Sequence, residues 1–213
     1  MKTDELIAML ASGATAIEAN TLQRRYATAL GWGAFGATLI MAIKLGVRSD
    51  LAEAILLPVF WVKLAFPATL FAASLLAATR LSRPGTPLGH VAAGIAAPIV
   101  AMWLLAVAAL IAAAPKEFDG LIFGQTWASC PLNIATISVP LFVASLWAMK
   151  GLAPTSLALA GGAAGLLAGA GGAMVYALNC PEMAAPFIAI WYVLGMLIPA
   201  VLGAILGPRL LRW

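Results

Sequence analysis

Long apolar stretches separated by short polar linkers are the dominant pattern along this chain. A membrane-spanning helix needs about 20 mostly apolar residues, and six stretches are long enough. They cover residues 26–43, 57–79, 90–114, 131–149, 154–178 and 183–206. The linkers between them are too short for a separate soluble domain. The pattern therefore predicts an all-α, polytopic membrane protein with six transmembrane helices.

Composition supports a membrane protein over a soluble one. Hydrophobic residues make up 63% of the chain and charged residues 9%, whereas soluble domains contain about 45–50% apolar and about 25% charged residues. The N-terminal sequence MKTDELIAML carries Asp4 and Glu5 before any long apolar run, which argues against a cleaved secretory signal. The net charge of +4 is interpreted as a determinant of membrane orientation, because the basic residues flank the apolar runs.

The distribution of lysine and arginine predicts which way the helices cross. Cytoplasmic segments carry an excess of these residues in membrane proteins. With the N-terminus inside, eight fall on the cytoplasmic side, against three on the outer side: Lys2, Arg24, Arg25, Arg80, Arg83, Lys150, Arg209 and Arg212, against Lys44, Arg48 and Lys116. Both termini are therefore predicted to be cytoplasmic.

The first 25 residues differ from the rest because they are polar enough to lie outside a bilayer. We divide the chain into a cytoplasmic N-terminal segment, residues 1–25, and a six-helix transmembrane domain, residues 26–213. Residues 3–12, TDELIAMLAS, predict a short helix, since Thr3 can cap it and acidic residues suit its first turn. One face of this helix is apolar and carries Leu6, Ile7 and Leu10. That face either lies on the membrane or is presented to a cytoplasmic partner.

Two glycine patterns are interpreted as helix packing. The run GWGAFG, residues 31–36, matches the Gly-x-Gly-x-x-Gly dinucleotide fingerprint, but it lies inside a predicted spanning helix. That fingerprint works only between a strand and a helix. Gly161, Gly165 and Gly169 are spaced by four residues, so they line one helix face and let a neighbouring backbone approach.

Lys63, in FWVKLAF, is the ionisable residue that falls within a predicted span. It lies about 9 Å from the outer end of that span at 1.5 Å per residue. One interpretation is that it extends to the interface and pairs with Asp50 or Glu53. The alternative is a buried polar contact that ties two helices together. No carboxylate falls in mid-span, which disfavours an ion-coupled transporter.

The chain has two cysteines, Cys130 and Cys180, and each is followed directly by proline. The predicted topology places both on the outer side, where the fourth and sixth spans begin. Proline is favoured at the first position of a helix, so each Cys-Pro step is interpreted as an N-cap followed by a helix start. Three alternatives remain open: a responsive pair, a permanent disulfide, or inert thiols that never meet. The pair could also bind a soft metal ion, with Glu182 as an added ligand, although two thiolates are too few for a closed tetrahedral zinc site.

Several motifs together resemble the NrsF-type anti-sigma factors of Gram-negative bacteria over nearly the whole chain. They are RRYATALGWG, LGVRSDLAEA, FWVKLAF, RLSRPG, GQTWASC, YALNCPEMAAPFIAIWYVLG and GPRLLRW. The resemblance implies a six-span inner-membrane protein that holds an extracytoplasmic-function sigma factor inactive at the cytoplasmic face. It also implies a signalling role for Cys130 and Cys180 in response to metal or oxidative stress.

The resemblance and the residue patterns combine into one hypothesis. The N-terminal segment, with Leu6, Ile7 and Leu10, together with the loop containing Arg80 and Arg83, would bind the sigma factor. No enzymatic activity, no cofactor and no direct nucleic-acid contact are expected. Two other classes remain: a membrane thiol–quinone oxidoreductase, disfavoured by the fifty-residue gap between the cysteines, and a small-solute transporter, disfavoured by the nearly chargeless spans.

Overall fold

The computed structural model describes Thr3, Glu5 and residues 21–212 except Pro84, Gly151 and Ala153. The predicted N-terminal helix face of Leu6, Ile7 and Leu10 therefore lies outside the described residues. Within them the chain is all-helical and has no strand.

Six helices are long and apolar enough to cross a membrane, as predicted. They are α1 (Thr21–Lys44), α2 (Pro58–Leu81), α3 (Val91–Ala112), α4 (Cys130–Met149), α5 (Leu157–Tyr176) and α6 (Ala185–Leu210). Helix α6 contains one π-helical turn, Ile188–Tyr192. Shorter elements, Leu51–Ala54, the 3₁₀ turn Pro115–Glu117 and Phe118–Phe123, lie in the connections.

Helix α5 packs so closely on α6 that side chains larger than hydrogen do not fit between them. A Cβ atom added at Gly161 would lie 2.0 Å from the carbonyl oxygen of Gly203, and one at Gly165 would lie 2.0 Å from that of Pro199. At Gly169 the corresponding distance, to the oxygen of Met196, is 2.8 Å. The prediction that this glycine stripe serves helix packing is confirmed.

Helix α1 packs on α4 through part of the GWGAFG run. A Cβ atom at Gly33 would lie 3.0 Å from the Cα atom of Leu141, and one at Gly36 would lie 2.9 Å from the Cβ atom of Pro140. A Cβ atom at Gly31 would have no neighbour within 4 Å. The run is therefore a helix-packing motif, as predicted, and two of its three glycines make the contact.

The bundle has two ends, which the connections distinguish. The thiol end carries the two cysteines, the C-terminus of α1 and a non-helical segment, residues 177–184, which we call the strap because it joins α5 to α6 across that end. The arginine end carries Arg80, Arg83 and the N-terminus of α1. Because α2 runs from one end to the other, it is a direct mechanical connection between them.

Candidate functional site: a buried cysteine pair

Cys130 and Cys180 meet at the thiol end. Cys130 is the first residue of α4, and Cys180 lies in the strap. The structure has no disulfide between the two cysteines, whose side chains belong to one buried cluster and lie close enough for each thiol to affect the other. Both side chains are completely buried, with 0% exposure. The alternative of thiols that never meet is therefore wrong, and the pair is shielded from solvent.

A helix begins at the Cys130–Pro131 step, as predicted, but neither cysteine is an N-cap and no helix begins at Cys180–Pro181. Ser129 occupies the N-cap position of α4, so Cys130 is the first helical residue. Cys180 lies five residues before α6, whose first turn contains Pro186 in place of Pro181. Two carbonyl groups of the non-helical strap, those of Cys180 and Glu182, accept hydrogen bonds from side chains outside it.

Lys63 is the principal donor to the strap. Its Nζ atom donates to the carbonyl oxygens of Cys180 at 2.6 Å and Glu182 at 2.8 Å, and it lies 5.6 Å from the ring centroid of Tyr192. The side chain is completely buried, so the prediction that it extends to the interface is wrong. The alternative of a buried polar contact is confirmed, although the contact joins α2 to the strap and not to a second helix. A buried ammonium group loses its hydrating water. Here two carbonyl groups and the face of an aromatic ring take the place of that water.

Arg48 supports the same carbonyl from the loop after α1. Its Nη1 atom donates to the oxygen of Cys180 at 3.3 Å, and its backbone N–H donates to Leu178 at 3.3 Å. Its Nε and Nη2 atoms each donate to the Asp50 carboxylate at 2.6 Å. These hydrogen bonds lower the pKa of Asp50 and raise that of Arg48. Asp50 thus fixes the guanidinium that holds the strap.

Asn179 fastens the strap to the end of α1. Its Nδ2 atom donates to the carbonyl oxygens of Leu45 at 3.2 Å and Gly46 at 2.9 Å. Carbonyl groups at a helix C-terminus have no partner within the helix. The residue before Cys180 therefore acts as a C-terminal cap for α1.

Glu182 fastens the other side of the strap to the loop before α4. Its Oε1 atom accepts a hydrogen bond from the backbone N–H of Gln125 at 2.7 Å. Gly124 has a positive φ of 52°, and a Cβ atom there would lie 2.5 Å from the carboxylate of Glu182. Glycine is required at this position both by its backbone conformation and by the space that Glu182 fills.

An aromatic cluster covers the same loop. Trp127 and Trp191 have ring centroids 5.3 Å apart, and Phe123 lies 5.7 Å from Trp127. The Nε1 atom of Trp191 donates to the carbonyl oxygen of Ile122 at 2.8 Å. The loop before α4 and the first turns of α6 are therefore joined next to the strap.

Two tyrosines enclose the cysteine pair. Tyr176 belongs to the same buried cluster as the two cysteines and interacts electrostatically with both thiols. The Tyr192 hydroxyl is buried and faces Cys180 without the geometry of an ordinary hydrogen bond. The hydrogen bond from Cys130, followed by the positive charge of Lys63, lowers the pKa of the Cys180 thiol despite its burial. Cys180 is thus the thiol that the surroundings favour as a thiolate.

The geometry does not assemble a closed metal site with Glu182. No group of three or more His, Cys, Asp and Glu side chains among the described residues is arranged to hold a metal ion. The carboxylate of Glu182 is instead bonded to Gln125. Metal binding by Cys130 and Cys180 stays a prediction.

The predicted partner-binding arginines lie together at the opposite end. Arg80 and Arg83 line one cavity of about 620 Å³, together with Leu22, Gln23 and Thr86. The Nη1 atom of Arg80 donates to the carbonyl oxygen of Leu88 at 2.7 Å and thereby orders the loop. Lys63 and Arg80 lie on the same helix, separated by about 26 Å at 1.5 Å per residue.

The sequence did not indicate most of the residues that surround the cysteine pair or hold the strap. Arg48, Asn133, Tyr176, Asn179 and Tyr192 had no assigned role. Some of them stand close to the cysteines in YALNCPEM and LNI, and that proximity was the available signal. The contacts of Arg48 and Lys63 with the strap span more than one hundred residues, so no local pattern could reveal them.

Comparisons with a family model and with two relatives point to the same protein family along the chain. A sequence model of the NrsF family, described as "Negative regulator of sigma F", matches residues 10–213. The chain is 57% identical over 213 residues to a protein of Azospira oryzae named "Probable anti-sigma-F factor NrsF". It is 38% identical over 219 aligned residues to the "Anti-sigma-F factor NrsF" of Caulobacter vibrioides. Both alignments cover 100% of each chain, and no solved structure matches.

Proposed function

This chain belongs to the NrsF family of negative regulators of sigma F, and we propose that it holds an extracytoplasmic-function sigma factor inactive at the cytoplasmic face of the bacterial inner membrane. Release follows when Cys130 and Cys180 respond to an oxidant or a heavy metal on the outer face. The family is regulatory, so the chain is a regulator and not an enzyme.

The observation that carries the sensing part is the contact between the two thiols. Cys130 and Cys180 are fifty residues apart in sequence, yet their side chains meet at the strap. Hydrogen bonds of Asn179 and Glu182 fix the strap on either side of Cys180. A pair of thiols in contact can respond as a unit, whereas a single buried thiol is usually inert. The two remaining alternatives, a responsive pair and a permanent disulfide, differ in the resting redox state.

The orientation rests on the positive-inside rule. The arginine end carries Arg80 and Arg83, and the predicted cytoplasmic segments hold eight basic residues against three outside. The thiol end then faces the periplasm, where disulfides form and persist. In this multi-pass arrangement the sensor and the sigma factor lie on opposite sides of the membrane.

Oxidation has a defined geometric consequence at the pair. A bond forms between the two Sγ atoms, and the two protons and two electrons go to the oxidant. Hydrogen-bonded sulfurs lie well beyond the S–S bond length of about 2.05 Å, so Cys130 and Cys180 must approach. Because Cys180 belongs to the strap, the carbonyl groups that Lys63 binds move with it.

Lys63 transmits that movement to the arginine end. It belongs to α2, whose last turn contains Arg80. A change at the strap therefore acts on the helix that positions the proposed sigma-binding residues. Signalling requires the two arrangements to differ in sigma affinity, and a coupling free energy of about 1–3 kcal/mol is typical.

The sigma-binding surface would combine the arginine-end cavity with the N-terminal segment. The cavity joins the cationic groups of Arg80 and Arg83 to apolar side chains such as Leu75 and Leu76. Such a surface suits an amphipathic helix with acidic and apolar residues. Leu22 and Gln23, near the end of the N-terminal segment, line the same cavity, so we expect this segment, with Leu6, Ile7 and Leu10, to take part in binding.

Co-purification tests the proposed partner. The full chain and a variant lacking residues 1–20 are affinity-purified from bacterial membranes, and the bound sigma factor is measured by quantitative mass spectrometry. We expect capture by the full chain and a strong loss on removal of residues 1–20. Absence of any sigma factor from the full-chain sample contradicts the proposal.

A transcriptional reporter tests the cysteines separately. Sigma-dependent transcription is compared in cells that carry the wild type or the Cys130→Ser/Cys180→Ser variant, with and without oxidant or cadmium. We expect induction in the wild type and no induction in the variant, with equal amounts of both proteins in the membrane. An unchanged response in the variant removes the cysteines from the mechanism.

A further inference from the structure

Cys130 and Cys180 are completely buried, so any molecule that reacts with them has to reach them from the surface. A cavity of about 90 Å³ lies between α1 and α4 at the thiol end. Lys44, Leu45, Asn133 and Thr136 line it, together with Ile40 and Ile137. One water molecule needs about 10–15 Å³ of such space, so the cavity has room for several.

The cavity lies near the cysteine pair. Asn133 lines it and lies one helical turn after Cys130 on α4. Ile137, also in the lining, belongs to the same buried cluster as Tyr176 and the two cysteines. Leu45 also lines it, and the carbonyl oxygen of Leu45 accepts a hydrogen bond from Asn179 at 3.2 Å. The cavity therefore adjoins the residues that surround the pair: Asn179, which precedes Cys180, and the buried cluster that contains Tyr176.

The lining favours water and small polar molecules. Asn133 and Thr136 contribute polar groups to the wall, and Lys44 is exposed at the end of α1. Apolar cavities stay dry, whereas polar ones hold water. The ammonium group of Lys44 repels cations, and the volume excludes large molecules.

We propose that this cavity is the entrance through which small, neutral, polar molecules reach the Cys130–Cys180 pair. The inference rests on the proposed function only in treating the pair as the sensor. It sharpens that function, because it selects small neutral oxidants over metal cations as the molecules with the easiest access.

Labelling of the thiols in the full chain, reduced and embedded in lipid nanodiscs, tests the route. The probe is methyl methanethiosulfonate, which transfers a methylthio group to a thiolate and releases methanesulfinate. The rate is followed by intact-protein mass spectrometry. We expect Thr136→Leu, which fills the cavity, to slow labelling by about tenfold or more, because labelling then requires local opening of the fold. Ile40→Ala, which widens the cavity, should accelerate it.

Thr38→Leu is the matched control. Thr38 lies on α1, and its hydroxyl donates to the carbonyl oxygen of Ala34 in the same helix at 2.9 Å, just as the Thr136 hydroxyl on α4 donates to that of Leu132 at 2.8 Å. It does not line the cavity, so its labelling rate should equal that of the wild type.

Two outcomes overturn the route. One is equal labelling rates in Thr136→Leu and Thr38→Leu, and the other is slower labelling in Ile40→Ala. Acceleration in both Thr136→Leu and Ile40→Ala also overturns it, since that result indicates general loosening of the fold. Sigma capture is measured on the same variants. If the labelling rates change as expected but no variant and no wild type captures a sigma factor, the route stands and the proposed function fails.

Discussion

The Nζ atom of Lys63 lies 2.6 Å from the carbonyl oxygen of Cys180, although the two residues are 117 positions apart in sequence. The contact joins the second turn of α2 to the segment that holds one of the two thiols. A completely buried ammonium is costly unless it is hydrogen-bonded, and here two strap carbonyls supply that bonding. Lys63 therefore fixes the strap position and is fixed by it.

Replacing Lys63 with Met should loosen the strap. The substitution retains much of the side-chain volume but leaves the carbonyl groups of Cys180 and Glu182 without this donor. A buried polar group without a partner costs about 1–3 kcal/mol, so we expect a loss of stability of that order. Thermal unfolding of the purified protein in nanodiscs measures it. Thiol labelling should also become faster.

Lys44→Met provides the control for that change. Lys44 is exposed, and substitutions of exposed residues usually change stability by less than about 0.5 kcal/mol. Equal unfolding temperatures for the two variants would mean that the Lys63 contact does not stabilise the strap.

Gly165→Ala should separate α5 from α6. The added Cβ atom would lie 2.0 Å from the carbonyl oxygen of Pro199, so one of the two backbones has to shift. Overpacking of this kind costs typically about 1–3 kcal/mol. Gly162→Ala is the matched control, because its Cβ atom would make an ordinary contact at 3.6 Å. The interpretation fails if both variants unfold at the same temperature in thermal unfolding measurements.

The helical framework was predictable from the sequence because its causes are local. Six apolar stretches predicted six helices, and the spacing of Gly161, Gly165 and Gly169 predicted a packing face. The resemblance to the NrsF family rested on short motifs and was confirmed over residues 10–213. Each of these signals depends on neighbouring positions alone.

The site was only partly predictable because its geometry depends on distant residues. The two cysteines were identified, but the sequence does not encode locally that Lys63 and Arg48 bind the strap. The sequence therefore predicted a helix start at Pro181. The helix begins later, at Ala185, and a carbonyl group of the intervening strap accepts a hydrogen bond from the side chain of Lys63. Lys63 was assigned to the interface by its distance from a span end, which does not reveal burial under another segment.

The ion pair of Arg48 and Asp50 should make the strap sensitive to acid. The pKa of Asp50 is lowered by hydrogen bonds from Arg48. A carboxyl group with a lowered pKa stabilises the fold above its unfolded pKa of about 3.9, and this contribution disappears as pH falls through the folded pKa. Asp50→Asn should therefore lower the unfolding temperature near neutral pH, and the difference from the wild type should vanish in acid.

Because Asp50 is solvent-exposed, the difference should be small and should shrink with added salt. Glu53→Gln removes a neighbouring carboxylate of the short helix Leu51–Ala54 and serves as the control. A constant difference between Asp50→Asn and wild type across the acid range would exclude the carboxylate charge as its cause.

Oxidation of the purified chain should produce an intramolecular disulfide between Cys130 and Cys180. The two thiols lie next to each other, and Cys180 belongs to a non-helical segment, so we expect it to approach Cys130. Mass spectrometry of the oxidised chain, after blocking of free thiols, should show one cross-linked peptide pair and no blocked cysteine. Cys130→Ser should remain monomeric and retain a free Cys180. A covalent dimer in place of the internal bond would show that the pair does not react as a unit.

Arg83→Glu should weaken capture of the sigma factor without unfolding the protein. Arg83 is exposed and lines the cavity at the arginine end, so charge reversal changes the electrostatic match with an acidic partner while leaving the core intact. Mutating a charge at the edge of an interface changes mainly the association rate and its salt dependence. The measurement is the binding rate of the purified sigma factor to the chain in nanodiscs at two salt concentrations.

Lys116→Glu, at the opposite end of the bundle, makes the same charge reversal and should bind like the wild type. Equal loss in both variants would indicate a general electrostatic effect, and no loss in Arg83→Glu would place the sigma factor elsewhere on the chain.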